Sequence, residues 1–176
     1  SLRYCRLRVN EGKSAVASPT KRKFLGYSFY YKNGTYRLRV HPKSLNRLKD
    51  KVREVTNRNV SMNFETRLKK LIEKTRGWVN YFKLADMSKS LKEMDGWIRR
   101  RLRACIWKTW KKIRTRFTSL NKLGIDRNKA WEFANTRKGY WRISNSPIMQ
   151  RSITNERLEK RGYVSMSTMY KKVILA

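Results

Sequence analysis

The chain has little of what small rigid scaffolds and common catalytic centres are made from. Its two cysteines, Cys5 and Cys105, stand far apart in 176 residues, which offers neither a disulfide framework nor metal-ligand spacing. The single histidine, His41, sits beside Pro42. No Gly-x-Ser-x-Gly accompanies it, so serine hydrolase chemistry is excluded, and zinc is excluded for want of ligands. Three prolines and eight glycines leave few loops and no flexible linker. No apolar run approaches the ~18–20 residues that span a bilayer. Ser1–Val9 lacks the apolar stretch of a signal peptide and reads like the middle of a domain.

Acid is the scarcest commodity relative to its opposite. Twelve Asp and Glu face 45 Lys and Arg, for a net charge of +33. Such a charge repels itself unless a polyanion neutralises it, and nucleic acid is the expected partner. Residues 12–49 hold ten Lys and Arg without one acid, and residues 96–125 hold ten more, again without one. A solvated face mixes both signs, so these windows read as a footprint for phosphate. The chain can nevertheless fold, because 39% of it is hydrophobic, including six Trp, nine Tyr and six Phe.

The pattern predicts a mostly α chain with a small N-terminal β element. Asn33-Gly34 between aromatic runs is a hairpin signal, since both turn residues must take φ > 0. It predicts an antiparallel pair, Lys23–Lys32 with Thr35–Val40, at the edge of a larger sheet. After Pro42, Ser44 is expected to cap a helix with Leu45, Leu48, Val52 and Val55 on one face. A second helix begins near Asn63 and gathers Phe64, Leu68, Leu71, Ile72, Trp78, Val79 and Phe82. A third, from Ser88 or Ser90, stacks Leu91, Met94, Ile98, Leu102, Cys105 and Ile106. Together they predict a three-helix bundle. Shorter helices follow, with Gly124 as a stop and Asp126, Ser146, Thr154 and Ser165 as caps.

No active site can be assembled from these residues. Gly12-Lys13-Ser14 resembles the end of a P-loop, but Leu7 stands where the first glycine is required. Glu93 and Asp95 are two apart on a helix and do not share a face. With Asp86 they are expected to offset neighbouring lysines rather than bind magnesium. On the third helix, Arg100, Arg103 and Lys111 lie opposite the apolar stripe, and Trp107 is four residues from both Arg103 and Lys111. This predicts a ridge on nucleic acid, with Trp107 either stacking on a base or covering a packing surface toward the C-terminal tail.

Further motifs run through the chain in order. They are Val9-Asn10-Glu11-Gly12-Lys13-Ser14, Arg22-Lys23-Phe24-Leu25-Gly26-Tyr27-Ser28-Phe29 and Arg76-Gly77-Trp78-Val79-Asn80-Tyr81-Phe82. Then come Trp97-Ile98-Arg99-Arg100-Arg101-Leu102-Arg103, Trp107-Lys108-Thr109-Trp110-Lys111-Lys112, Arg137-Lys138-Gly139-Tyr140-Trp141-Arg142 and Leu158-Glu159-Lys160-Arg161-Gly162-Tyr163. In this order they resemble the C-terminal part of bacterial group II intron-encoded reverse transcriptase/maturase proteins.

The resemblance implies that residues 1–41 are the end of the palm, a β-hairpin, and that residues 42–112 are the thumb, or domain X, helical bundle. Residues 113–176 would be a helical DNA-binding region. The family's Tyr-x-Asp-Asp motif and preceding palm aspartate would lie upstream of Ser1, in the same polypeptide or in a separate fingers/palm half. No cofactor is then expected on this chain, and Mg²⁺ only at that palm site.

Lys13 matches the lysine that follows the metal-binding aspartates, which implies a general acid toward pyrophosphate or a phosphate contact. Phe24, Leu25 and Gly26 match the block that supports the primer. A buried edge strand would account for Phe24 and Leu25 equally well. Gly77 inside a helix suggests a close neighbour. Arg76, Asn80 and Lys83 are left outside the second helix to touch RNA backbone. The expected nucleic-acid contacts continue through Arg99, Arg100, Arg103, Trp107, Lys108, Lys111, Lys112 and Arg114 to Arg137, Lys138 and Arg142. Arg151, Arg157, Lys160 and Arg161 extend the basic surface of the C-terminal region.

The expected partners are group II intron RNA, RNA template/DNA primer duplex, target DNA and the fingers/palm portion, with no membrane. The expected setting is the bacterial cytoplasm, in a ribonucleoprotein or at the nucleoid. The competing reading is a stand-alone structural RNA-binding protein without catalysis.

Overall fold

The structure, a computed structural model, describes residues 18–175. A 3-10 turn at Pro19–Lys21 leads into an antiparallel sheet of strands β1 (Lys23–Phe24), β2 (Tyr27–Lys32) and β3 (Thr35–Val40), in that spatial order. Asn33 and Gly34 both take positive φ, 51° and 78°, and set the expected hairpin register, with Phe29 opposite Leu38. The single strand expected over Lys23–Lys32 is instead broken in two. Leu25 and Gly26 also take positive φ, 48° and 88°, and turn the chain back on itself. Leucine is a poor residue for that region, so Gly26 alone marks the break.

Gly26 is held tightly. A Cβ there would lie 3.0 Å from both the Phe82 ring and Ser44 Oγ. Ser44 is therefore not the helix cap. Its hydroxyl donates to the Gly26 carbonyl at 3.0 Å, while His41 caps α1 (Pro42–Val55) by accepting the Lys43 N–H on Nδ1 at 3.1 Å. Pro42 at the first helical position needs no partner for a missing N–H.

Helix α2 (Phe64–Tyr81) starts at the expected Asn63 cap, and α3 (Ser88–Thr109) starts without a side-chain cap. Arg67 of α2 is 4% exposed. Its guanidinium donates to the carbonyls of Val55, Asn57 and Val60, at 2.5, 2.9 and 3.0 Å. It thereby satisfies acceptors that the end of α1 and its loop leave open. The sheet leans on the end of α2: Tyr27 donates to the Tyr81 carbonyl, Tyr81 to the Leu25 carbonyl, and the Asp86 N–H to the Leu38 carbonyl. Gly77 has nothing within 4 Å of a Cβ position. The close neighbour expected there is absent, and the glycine is exposed.

Six shorter helices follow: α4 (Ile113–Lys122), α5 (Arg127–Ala134), α6 (Tyr140–Ile143), α7 (Pro147–Ser152), α8 (Asn155–Lys160) and α9 (Met166–Ile174). Gly124 takes φ 85° just beyond α4, and Asp126, Ser146, Thr154 and Ser165 accept backbone N–H groups as caps. The three long helices do not close a core by themselves. α9 lies against both α2 and α3, and one buried cluster runs from Val40 through Leu71, Ile98, Leu120 and Met149 to Tyr170. The core therefore continues past residue 112.

Candidate nucleic-acid interface

The charge has few internal partners. Among the described residues three ion pairs form, Arg37–Asp86, Arg53–Asp50 and Lys74–Glu54, all on exposed or half-buried side chains. Asp86 offsets an arginine of the sheet rather than a neighbouring lysine, accepting from Tyr30 at 2.6 Å and lying 3.6 Å from Arg37. That hydrogen bond to Asp86 raises the Tyr30 pKa above its ordinary value. Asp95 offsets no lysine. It is buried, and it accepts from the Tyr163 hydroxyl and from the Met166 and Ser167 N–H groups. No group of three or more potential metal ligands occurs among the described residues.

The ridge expected on the third helix separates into structural and free residues. Trp107 is 1% exposed, packs edge-on to Trp110 and carries the Arg116 guanidinium 4.9 Å from its ring centroid. A buried indole does not stack on a base, so Trp107 is a core residue facing the C-terminal tail. Arg103 is 8% exposed. It donates from Nε to the Ile153 carbonyl at 2.9 Å and from a terminal nitrogen to Asn155 Oδ1 at 3.1 Å. It ties α3 to the turn between α7 and α8, and burial lowers its pKa. Lys111 lies beyond the end of α3, so the four-residue spacing does not extend to it.

The other cations remain available. Lys111, Lys112 and Arg114 are exposed around the α3–α4 turn, Arg76, Asn80 and Lys83 along the end of α2, and Arg137, Lys138 and Arg142 near α6. Arg99 is half-buried beside Arg103. Arg100 lies 3.9 Å from the Trp141 ring centroid and donates to its carbonyl at 3.0 Å. Lys108 and Arg58 approach the Tyr140 ring, at 4.9 and 5.3 Å. Guanidinium and ammonium groups held on aromatic faces keep their charge while losing freedom. Arg58 joins this surface only through the fold, being distant in sequence from the motif that holds Tyr140 and Trp141.

Phe24 and Leu25 are 65% and 66% exposed, so the buried-edge explanation does not hold. Gly26 does permit a close approach, but by Phe82 and Ser44. Lys13 lies outside the described residues. Cys105 is buried, with Sγ 3.3 Å from the Thr56 carbonyl, and burial raises its pKa. It is an inert packing thiol.

The scaffold under this surface matches a known family. Residues 45–124, from α1 to the end of α4, match the family described as Group II intron, maturase-specific domain. This segment is similar to a group II intron maturase domain. The match covers all three long helices and places Arg76, Arg99, Arg100, Lys108 and Lys111 inside the maturase domain. The domain implies a role in group II intron splicing, with the intron RNA as partner. No curated protein is significantly similar to the chain. No helix among the described residues is long and apolar enough to cross a membrane.

Proposed function

We propose that this chain is the thumb and DNA-binding portion of a group II intron reverse transcriptase, gripping folded intron RNA for splicing and template–primer duplex for DNA synthesis. The observation that carries the reading is a maturase-like scaffold on which, among the described residues, only Arg37, Arg53 and Lys74 of the cations are ion-paired. Lys111, Lys112 and Arg114 cluster at the α3–α4 turn with no acid between residues 96 and 125. Charges so placed bind phosphate through counterion release and read duplex shape rather than sequence. Target DNA during intron mobility would use the same chemistry on the C-terminal region.

The palm and its Mg²⁺ chemistry belong to the proposal as a partner portion, supplying a carboxylate cluster of the kind that does not occur among the described residues. Phe24 and Leu25, exposed beside Tyr81, are the apolar surface on which that portion or the primer would rest.

Binding of a group II intron RNA by the full chain, followed over a salt series, tests the first part. Lys111→Ala with Lys112→Ala and Arg114→Ala is expected to flatten the log–log salt slope by about two to three. An unchanged slope removes this turn from the interface. Adding a fingers/palm polypeptide with Mg²⁺ is expected to yield cDNA. RNA binding that never supports synthesis would favour the stand-alone RNA-binding reading.

A further inference from the structure

Between α3 and the α6–α8 segment lies an open cavity of about 640 Å³. Arg99, Arg100, Asn145, Gln150, Asn155 and Glu156 are among its lining residues. The volume lies inside the ~300–1,000 Å³ range of pockets that enclose small organic ligands. The composition differs from that of the exposed turn at Lys111–Arg114. A groove built only to follow phosphates needs cations; this one mixes three arginines, of which Arg103 is already bonded within the fold, with three carboxamides and a carboxylate.

Carboxamides present a donor and an acceptor side by side, the complement of a base edge. A carboxylate repels phosphate but accepts the N–H groups of a base. Several of these groups have capacity to spare. Asn155 spends its oxygen on Arg103, at 3.1 Å, which leaves its amide donors. Gln150 donates to the Asn145 carbonyl at 3.0 Å, which leaves its oxygen. Arg100 Nε is buried and has no hydrogen-bond partner among the described residues. Its guanidinium lies against Trp141, a flat cationic surface of the kind on which unpaired bases stack.

We infer that this cavity captures a single unpaired nucleotide extruded from the RNA that the maturase domain binds, the arginines meeting phosphate and the amides and Glu156 meeting the base. The inference rests on the intron-RNA reading above and adds a base-reading site to it. The walls come from the maturase domain and from the C-terminal region together, so only the joined pair forms the site.

The test compares two RNA hairpins, one with a single unpaired nucleotide and one with that nucleotide deleted, by fluorescence anisotropy with the full chain. The wild type is expected to bind the bulged hairpin about tenfold more tightly. Asn145→Ala with Gln150→Ala, both on exposed residues, is expected to abolish that ratio and leave affinity for the unbulged hairpin unchanged. A second readout needs no variant: 4-thiouridine at the unpaired position is expected to crosslink within residues 140–156. Equal affinity for the two hairpins, a ratio that survives the double substitution, or crosslinks confined to other segments would each overturn the inference while leaving RNA binding intact. Failure to bind either hairpin would instead overturn the intron-RNA reading itself.

Discussion

Asp95, inside α3, caps the last helix of the chain: its Oδ1 accepts the Met166 N–H at 2.8 Å, and Oδ2 accepts that of Ser167 at 3.0 Å. A carboxylate against the positive end of α9 completes N–H groups that would otherwise be buried unsatisfied. The Tyr163 hydroxyl donates to the same Oδ1, and burial, with the Asp95 charge, drives its pKa far above the ordinary tyrosine value. Asp95→Ala is expected to cost about 2–3 kcal/mol, read as a lower urea midpoint. Proteolysis should then begin at the C-terminal helix.

Arg99 and Arg103 are a turn apart on one helix and are expected to respond oppositely. Arg103→Ala removes two hydrogen bonds from a buried clamp and should lower stability by about 2–4 kcal/mol. Arg103→Lys is expected to rescue little, because one ammonium cannot reproduce the fork. Arg99→Ala should leave the melting temperature nearly unchanged and weaken RNA binding several-fold. A thermal melt and a binding isotherm on each variant separate the two roles.

Gly26→Ala is expected to destabilise by about 1–3 kcal/mol, since the new Cβ meets Phe82 and Ser44 at 3.0 Å and the backbone sits at φ 88°. The loss should appear as faster hydrogen exchange in β1 and β2, with α9 unaffected. Exchange that rises uniformly would contradict a local role.

His41 gives the fold a pH dependence. Burial first, and then Lys23, Lys43 and Arg39, hold its pKa below the ordinary 6.5. The folded state thus favours the neutral ring, whose Nδ1 accepts the Lys43 N–H. The stabilisation is complete above pH 6.5 and is lost as pH falls through the lowered folded-state value. The melting temperature is therefore expected to drop on acidification across that window. His41→Asn keeps a capping acceptor that does not titrate, and its profile should be flatter there.

Local signals in the sequence were legible where one short segment carries the whole reason. Asn33-Gly34 specifies its hairpin because few other pairs tolerate two positive φ values. Asn63, Asp126, Ser146, Thr154 and Ser165 announce their helices because a cap bonds within three residues of itself. The failures share the opposite property. Ser44 looked like a cap but is claimed by Gly26, eighteen residues earlier. Leu25 turns the chain with only Gly26 as a turn residue, because Phe82 and Tyr81 hold the neighbouring backbone in place.

The candidate site divides in the same way. Charge is a property of composition, so a polyanionic partner and the acid-free windows 12–49 and 96–125 could be read directly. Which cations are free could not. Arg99, Arg100 and Arg103 look alike along the chain, yet Arg103 is buried against Ile153 and Asn155, fifty residues away. Trp107 is buried, with the ring of Trp110 and the guanidinium of Arg116 from α4 against it.

The sequence by itself determined the mostly helical class, the helix-starting caps and the basic character. Each of these depends on near neighbours or on a sum over residues. Only the tertiary structure decided which arginines are structural, that α9 completes the core, and that Asn145 and Gln150 face the same cavity as Arg99. Those outcomes are set by long-range packing, in which a buried polar group must find a partner wherever the fold brings one.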